Sequence, residues 1–216
     1  MHSTIAISQD VLAERLQKLG FSFPDACLAN LATYLGLLMK WNKAMNLVGT
    51  GSWEKTLDTL VLDSFHLAEF LRSINHTPNP VTFDLGAGAG LPGIPLRMVW
   101  SEGSYTLVEV REKRALFLKT SLASLHLERI RVFQGRAEHF FAAEDPANLI
   151  ISRAFMPWQE MLAFIADALA PAGHVVFLTL SPAPEELPAP WRLVAQKSYN
   201  ADNATRYFWC FTRSKP

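Results

Sequence analysis

The sequence predicts an α/β protein: a doubly wound, mostly parallel seven-stranded sheet with an N-terminal helical extension. Three observations lead there. Residues 1–75 repeat their apolar side chains at helical spacing. From Val81 onward, short apolar runs alternate with amphipathic stretches, as strands joined by crossover helices do. Two final apolar runs flank a polar joint at residues 200–203, which reads as a closing hairpin and brings antiparallel pairing into the sheet. The expected division is a helical extension over 1–75, packed on the core, and a ligand-binding domain over 76–216.

In the extension, Ser8 is placed to cap a helix whose inward face is Leu12, Leu16 and Leu19, and Gly20 ends it because glycine readily turns left-handed. Ser22 is the expected cap of a second helix, with Pro24 in its first turn and Asp25 in a capping-box position. Leu28, Leu31, Leu35 and Leu38 then recur at helical spacing. Residues 49–52 break the chain. Ser52 caps a third helix to about Leu71, with Leu57, Leu60 and Val61 inward. Residues 75–80 hold two prolines and form a linker. Strands are expected at 81–85, 105–110, 130–134, 149–152, 174–180, 191–199 and 206–212, with helices at 112–125 and 157–169.

Composition excludes several classes. The 216 residues are half hydrophobic and 19% charged, a folded rather than a disordered balance. No apolar run approaches the roughly 20 residues that cross a bilayer, and the N-terminus lacks a secretory layout. Cys27 and Cys210 are too few and too far apart for a disulfide framework or metal cluster, so a cytoplasmic protein without a metal is expected. The 20 Lys and Arg balance 20 Asp and Glu, which argues against a broadly basic nucleic-acid binder. A local basic face remains open: residues 81–155 carry nine Lys and Arg against eight Asp and Glu.

The chemistry lies in Asp84-Leu85-Gly86-Ala87-Gly88-Ala89-Gly90-Leu91-Pro92-Gly93, where a strand ends in glycines and a helix begins. Glycines at the carboxyl edge of such a strand let the backbone turn and a ligand approach. Two ligand classes compete. Gly88, Gly90 and Gly93 match the dinucleotide fingerprint, which alone is weak. Asp84 would repel phosphates but suit a cationic amino group, and Pro92 removes a backbone donor that a pyrophosphate would use. Glu109, at the end of the second strand, is placed to accept hydrogen bonds from ribose hydroxyls. Two carboxylates and a glycine loop suit S-adenosylmethionine, which carries an amine, a ribose and a sulfonium. A noncatalytic or dinucleotide-binding module is the competing reading.

Further segments carry a resemblance: LMKWNKAMNL over 38–47, Leu62-Asp63-Ser64, FDLGAGAGLPGIPL over 83–96, Lys113-Arg114, Arg136-Ala137-Glu138, and ISRAF over 151–155. Together, and in this order, they make the chain similar to the bacterial small-subunit ribosomal RNA guanine-N7 methyltransferases, the RsmG/GidB family. That resemblance implies a class I, Rossmann-like, S-adenosylmethionine-dependent methyltransferase domain at 76–216, acting on N7 of a guanine in 16S ribosomal RNA. It implies that Gly86, Gly88 and Leu91 line the donor loop and that Glu109 meets the ribose. Ala137 and Glu138 would border the adenine, and Arg153 would face the meeting point of methyl donor and guanine. Lys113, Arg114 and Arg206 are RNA-binding candidates, expected with Arg153 to form one basic patch beside the glycine turn. Trp41 and Asn42 would lock the extension onto the sheet.

Two places depart from the family pattern: Leu180-Ser181-Pro182 follows Thr179 where a Lys-Gly pair is usual, and Thr59-Leu60 stand where Arg-His is frequent. Both remove polar or positive groups, so a small-molecule methyltransferase is the alternative. The implied partner is 16S ribosomal RNA or the small ribosomal subunit, with no membrane, no DNA and a monomeric protein. Guanine N7 carries no proton, so no general base is needed. His66, His126 and His139 have no ligand spacing among them and read as surface or packing residues.

Overall fold

The computed structural model describes residues 6–214. Helices α1 (Gln9–Lys18), α2 (Asp25–Met45), α3 (Trp53–Thr56) and α4 (Leu62–Ser73) precede the sheet. A π-helical turn, Leu57–Val61, joins α3 to α4. The strands are β1 (Val81–Leu85), β2 (Ser104–Glu109), β3 (Ile130–Gln134), β4 (Ala147–Arg153), β5 (Leu169–Thr179), β6 (Trp191–Ala201) and β7 (Ala204–Arg213). Between them lie α5 (Gly93–Val99), α6 (Glu112–Ser124), α7 (Ala137–Phe141) and α8 (Trp158–Phe164).

One seven-stranded sheet results, in the order β3-β2-β1-β4-β5-β7-β6. The first five strands are parallel, and β7 enters antiparallel between β5 and β6. Strand order reverses between β1 and β4, which opens a crevice at their carboxyl ends. The hairpin turns through Asp202 and Asn203, both at positive φ, as a two-residue turn between twisted strands requires.

Helix α2 carries the packing of the extension. Tyr34, Leu35 and Leu38 are fully buried in an apolar cluster that continues through Phe65, Ile94, Phe117 and Leu149, so the core crosses residue 75 without a break. Trp41 meets Phe117 of α6 edge-on, with ring centroids 5.7 Å apart. Asn42 secures the chain after α2: its amide donates to the Thr50 carbonyl, and its carbonyl accepts from the Val48 amide.

Several local expectations are corrected. Ser22 caps nothing; Pro24 occupies the N-cap position of α2, and its carbonyl accepts from the Cys27 and Leu28 amides. Ser8 sits at the N-cap of α1 without a side-chain bond, whereas Ser52 does accept from the Lys55 amide. The third helix is not one α-helix. Its π turn offsets the face, so Thr59 is buried while Leu60 is only half-buried. Helix α8 stops at Phe164, and the chain rejoins the sheet at Leu169, ahead of Pro171, which cannot donate to a helix. Helix α7 lies where no helix was expected.

Candidate functional site

Strand β1 delivers the glycine loop and β4 delivers Arg153 to the same edge. Leu85 pairs with Ser152, so Gly86 and Arg153 leave the sheet side by side where strand order reverses.

The glycines divide the work of the loop. Gly86, Gly88 and Gly90 have φ of +71°, +57° and +79°, conformations that a Cβ disfavours. A Cβ on Gly90 would lie 2.5 Å from Ile94, and one on Gly93 would lie 2.5 Å from an Asp84 oxygen. Gly93 lets α5 pack closely on β1 and β2, and Gly90 lets the loop fold down against Ile94 of α5 and Leu118 of α6. A Cβ on Gly86 would lie 2.6 Å from the ring of Phe155. Only at Gly88 is the space open, with nothing nearer than 3.6 Å and the Arg114 guanidinium at 3.8 Å.

Most of the loop amides are already occupied. Those of Gly86 and Ala87 donate to the Val108 carbonyl, Gly88 to a Glu109 carboxylate oxygen at 2.9 Å, and Gly90 to the Ala87 carbonyl. The Gly93 amide serves Asp84, and Pro92 has no donor. Such a loop offers few donors to a pyrophosphate. The second Glu109 oxygen accepts from the Arg111 amide, so this buried carboxylate ties the end of β2 to the glycine loop. Each of its oxygens still has a lone pair available for a hydroxyl.

Asp84 is placed differently from the sequence expectation. It is 1% exposed and lies beneath the loop, where it accepts from the Tyr105 hydroxyl at 3.0 Å. Burial raises its pKa to about 7 against the pull of Tyr105, the Arg153 charge and the Gly93 amide. It braces the turn rather than opening onto the crevice. From the other side, the Tyr34 hydroxyl of α2 donates to the Ala89 carbonyl at 2.8 Å. Leu91 and Ala137 are buried near this edge, while Glu138 is exposed and pairs with Arg136.

Beside the loop, at the carboxyl ends of β4 and β5, lies a cavity of about 590 Å³. Trp158, Phe177, Tyr207 and Trp209 line it, as do Leu60 from the π turn and the Leu180-Ser181 bend. Its polar side gathers around Asp63, whose side chain is 5% exposed. One Arg206 nitrogen donates to both Asp63 oxygens at 2.9 Å, the Tyr199 hydroxyl donates to one of them, and an Arg153 nitrogen lies 3.6 Å away. The expected single basic patch is therefore divided. Arg153 and Arg206 converge on a buried carboxylate, whereas Lys113 and Arg114 stand at the start of α6, with Arg114 beside Gly88.

Sequence reasoning had left Asp63, Tyr199, Phe155, Trp158 and Trp209 without a site role. The local signals were the Leu62-Asp63-Ser64 and ISRAF segments and an acid inside the apolar face of α4. The histidines behave as packing or surface groups: His66 stacks on Tyr199 at 4.0 Å, and His126 and His139 are exposed. Cys27 and Cys210 are buried free thiols, and no cluster of metal-ligating side chains occurs among the described residues. No helix among them is long and apolar enough to cross a membrane.

A seven-stranded sheet with one reversed strand and a glycine turn at its switch point defines the class I S-adenosylmethionine-dependent methyltransferases. Solved structures agree on the fold. One is an MtNAS mutant in complex with S-adenosylmethionine, with a TM-score of 0.60 at 14% identity, covering 95% of this chain and 78% of that one. Another is precorrin-6y C5,15-methyltransferase from Geobacter metallireducens, with a TM-score of 0.52 at 11% identity, covering 79% and 92%. The family described as rRNA small subunit methyltransferase G matches residues 27–204, and the chain belongs to that family. Relatives named ribosomal RNA small subunit methyltransferase G include one from Nitratidesulfovibrio vulgaris, 50% identical over 97% of this chain and 96% of its own length. Another, from Lawsonia intracellularis, is 47% identical over 88% of this chain and 89% of its own. The chain is thus a methyltransferase whose cofactor is S-adenosylmethionine.

Proposed function

We propose that the chain methylates N7 of a guanine in 16S ribosomal RNA. Family membership supports the ribosomal RNA substrate. The observation that carries the site assignment is the pairing of two unlike halves: a glycine loop tied to Val108 and Glu109 through its own amides, and an adjacent aromatic cavity that holds Arg153.

The residues fit a nucleoside sulfonium. The open face of Gly88 admits a ligand backbone, and Glu109 accepts from ribose hydroxyls while it holds the loop. Leu91 and Ala137 supply apolar surface beside the loop, and Glu138 borders the adenine from the start of α7. Asp84 acts one layer down, by fixing the turn through Gly93. When bound, S-adenosylmethionine supplies a methyl group on a positively charged sulfur. Phe155 packs its ring against Gly86 beside that place.

The cavity receives an unpaired purine, which its aromatic rings hold by stacking. Arg153 orients the purine edge that carries N7 and O6. N7 attacks with its lone pair, so the chain supplies alignment and exclusion of water rather than a base. Lys113 and Arg114 lie where phosphates flanking the target base would pass. The protein works as a monomer in the cytoplasm, where its substrate is made.

The test is transfer of labelled methyl to ribosomal RNA and to 30S particles from a strain lacking this methylation. Label is expected in at least one of them, at a site cleaved by chemistry specific for N7-methylguanine, and in neither preparation from the parent strain. No label in either substrate would overturn the reading.

A further inference from the structure

We propose that Asp63 is a positioning residue for methyl transfer: from the helical extension, it holds the Arg153 guanidinium at the mouth of the acceptor cavity. The proposal rests on the role given to Arg153 above.

Asp63 gathers donors from three strands, β4 (Arg153), β6 (Tyr199) and β7 (Arg206). Its own strongest partner is Arg206, which is 15% exposed and donates to both carboxylate oxygens at 2.9 Å. That pair is anchored rather than solvated. Tyr199, whose hydroxyl also donates to Asp63, is clamped between the His66 ring at 4.0 Å and the Phe208 ring at 5.3 Å. Arg153 is the outlying member, 3.6 Å from the carboxylate and 25% exposed. Its remaining donors are free to face a ligand.

Two guanidiniums around one carboxylate leave one positive charge at the mouth of the cavity. Arg153 has two carboxylates within electrostatic reach, Asp84 beneath the glycine loop and Asp63 beside its guanidinium at 3.6 Å. Asp84 is shielded by burial and by Tyr105, so Asp63 is the acid that sets the direction of the Arg153 side chain. The next residue, Ala154, has a φ of +54°, so the chain turns directly after Arg153. Asp63 therefore contributes to the chemistry through Arg153 rather than by contact of its own with the reacting atoms.

A double-mutant cycle measured by single turnover, with donor and ribosomal substrate saturating, separates positioning from general support of the fold. Asp63→Asn is expected to slow methyl transfer about 30-fold while S-adenosylmethionine affinity stays within about 2-fold. In an Arg153→Ala background the same change should cost less than about 2-fold, because the group it acts through is gone. An equal loss in both backgrounds overturns the proposal and leaves the role of Arg153 standing. Full activity of Arg153→Ala overturns both. If Asp63→Asn does not fold, Tyr199→Phe serves in the same cycle. It should lose about 3-fold in the parent and nothing in the Arg153→Ala background. An undiminished loss there overturns the proposal.

Discussion

The two halves of the site are built from different materials. The proposed donor half is main chain: three glycines at positive φ, amides paired with Val108, Glu109 and Ala87, and one buried acid beneath. All of it comes from residues 84–111. The acceptor half is side chain, with aromatic walls and a carboxylate–guanidinium cluster drawn from residues 63, 153, 199 and 206. A backbone cradle tolerates little change of residue, because its glycines are fixed by backbone geometry. A side-chain cavity can be retuned one residue at a time. The difference teaches where donor identity ends and substrate identity begins.

The sharpest way to break the contrast is Gly86→Val. A branched side chain at φ +71° is strained, and its Cβ falls on the Phe155 ring, so donor affinity should drop at least about 100-fold by calorimetry. A variant that binds the donor normally would show that the loop is not the cradle. Arg153→Ala should act on the other half alone. Methyl transfer is expected to fall about 100-fold while donor affinity is kept, the pattern of a lost transition-state contact. Equal losses in both readouts would erase the boundary between the halves.

Asp84 tests how the donor half is held. Its carboxyl has a pKa of about 7 in the folded protein against an ordinary 3.8, so the folded state holds the proton more tightly. Stability should be greatest near pH 4 and decline as pH rises to about 7, changing the folding equilibrium at least ~10-fold. Asp84→Asn should flatten that decline in urea unfolding, and parallel profiles for parent and variant would refute the assignment. Glu109→Gln places an amide donor against the Gly88 or Arg111 amide, and donor affinity should fall about 10-fold. The smallest effect is expected at Lys113→Ala: RNA affinity should weaken about 3-fold and its salt slope should fall by about 1. An unchanged slope would remove Lys113 from the phosphate path.

What the sequence made legible follows the same division. The sheet, its hairpin and the glycine loop announce themselves because each is written in neighbouring residues: alternation in β1, Asp202-Asn203 at the turn, Gly86 to Gly93 at the switch point. Which glycines have open space and which are tightly packed was hidden, since that depends on Ile94, Leu107 and Phe155 in three dimensions. Asp84 looked ligand-facing because its solvent exposure is set by Tyr105, a residue of the next strand. Asp63 and Tyr199 lie 136 positions apart, and no local pattern joins them. Leu60 was expected inside because an α period was applied across a π turn.

That turn works as a phase adjuster. A π turn spends one more residue than an α turn, which rotates everything after it by about 100° relative to everything before. Deleting Thr59 or Leu60 would leave α3 and α4 nearly intact in length and helicity. It would also swing Asp63 off the strands it faces and bring a neighbour round in its place. The single inserted residue therefore sets the clocking of α4, and a length change that looks harmless in an alignment would disconnect two layers of the protein.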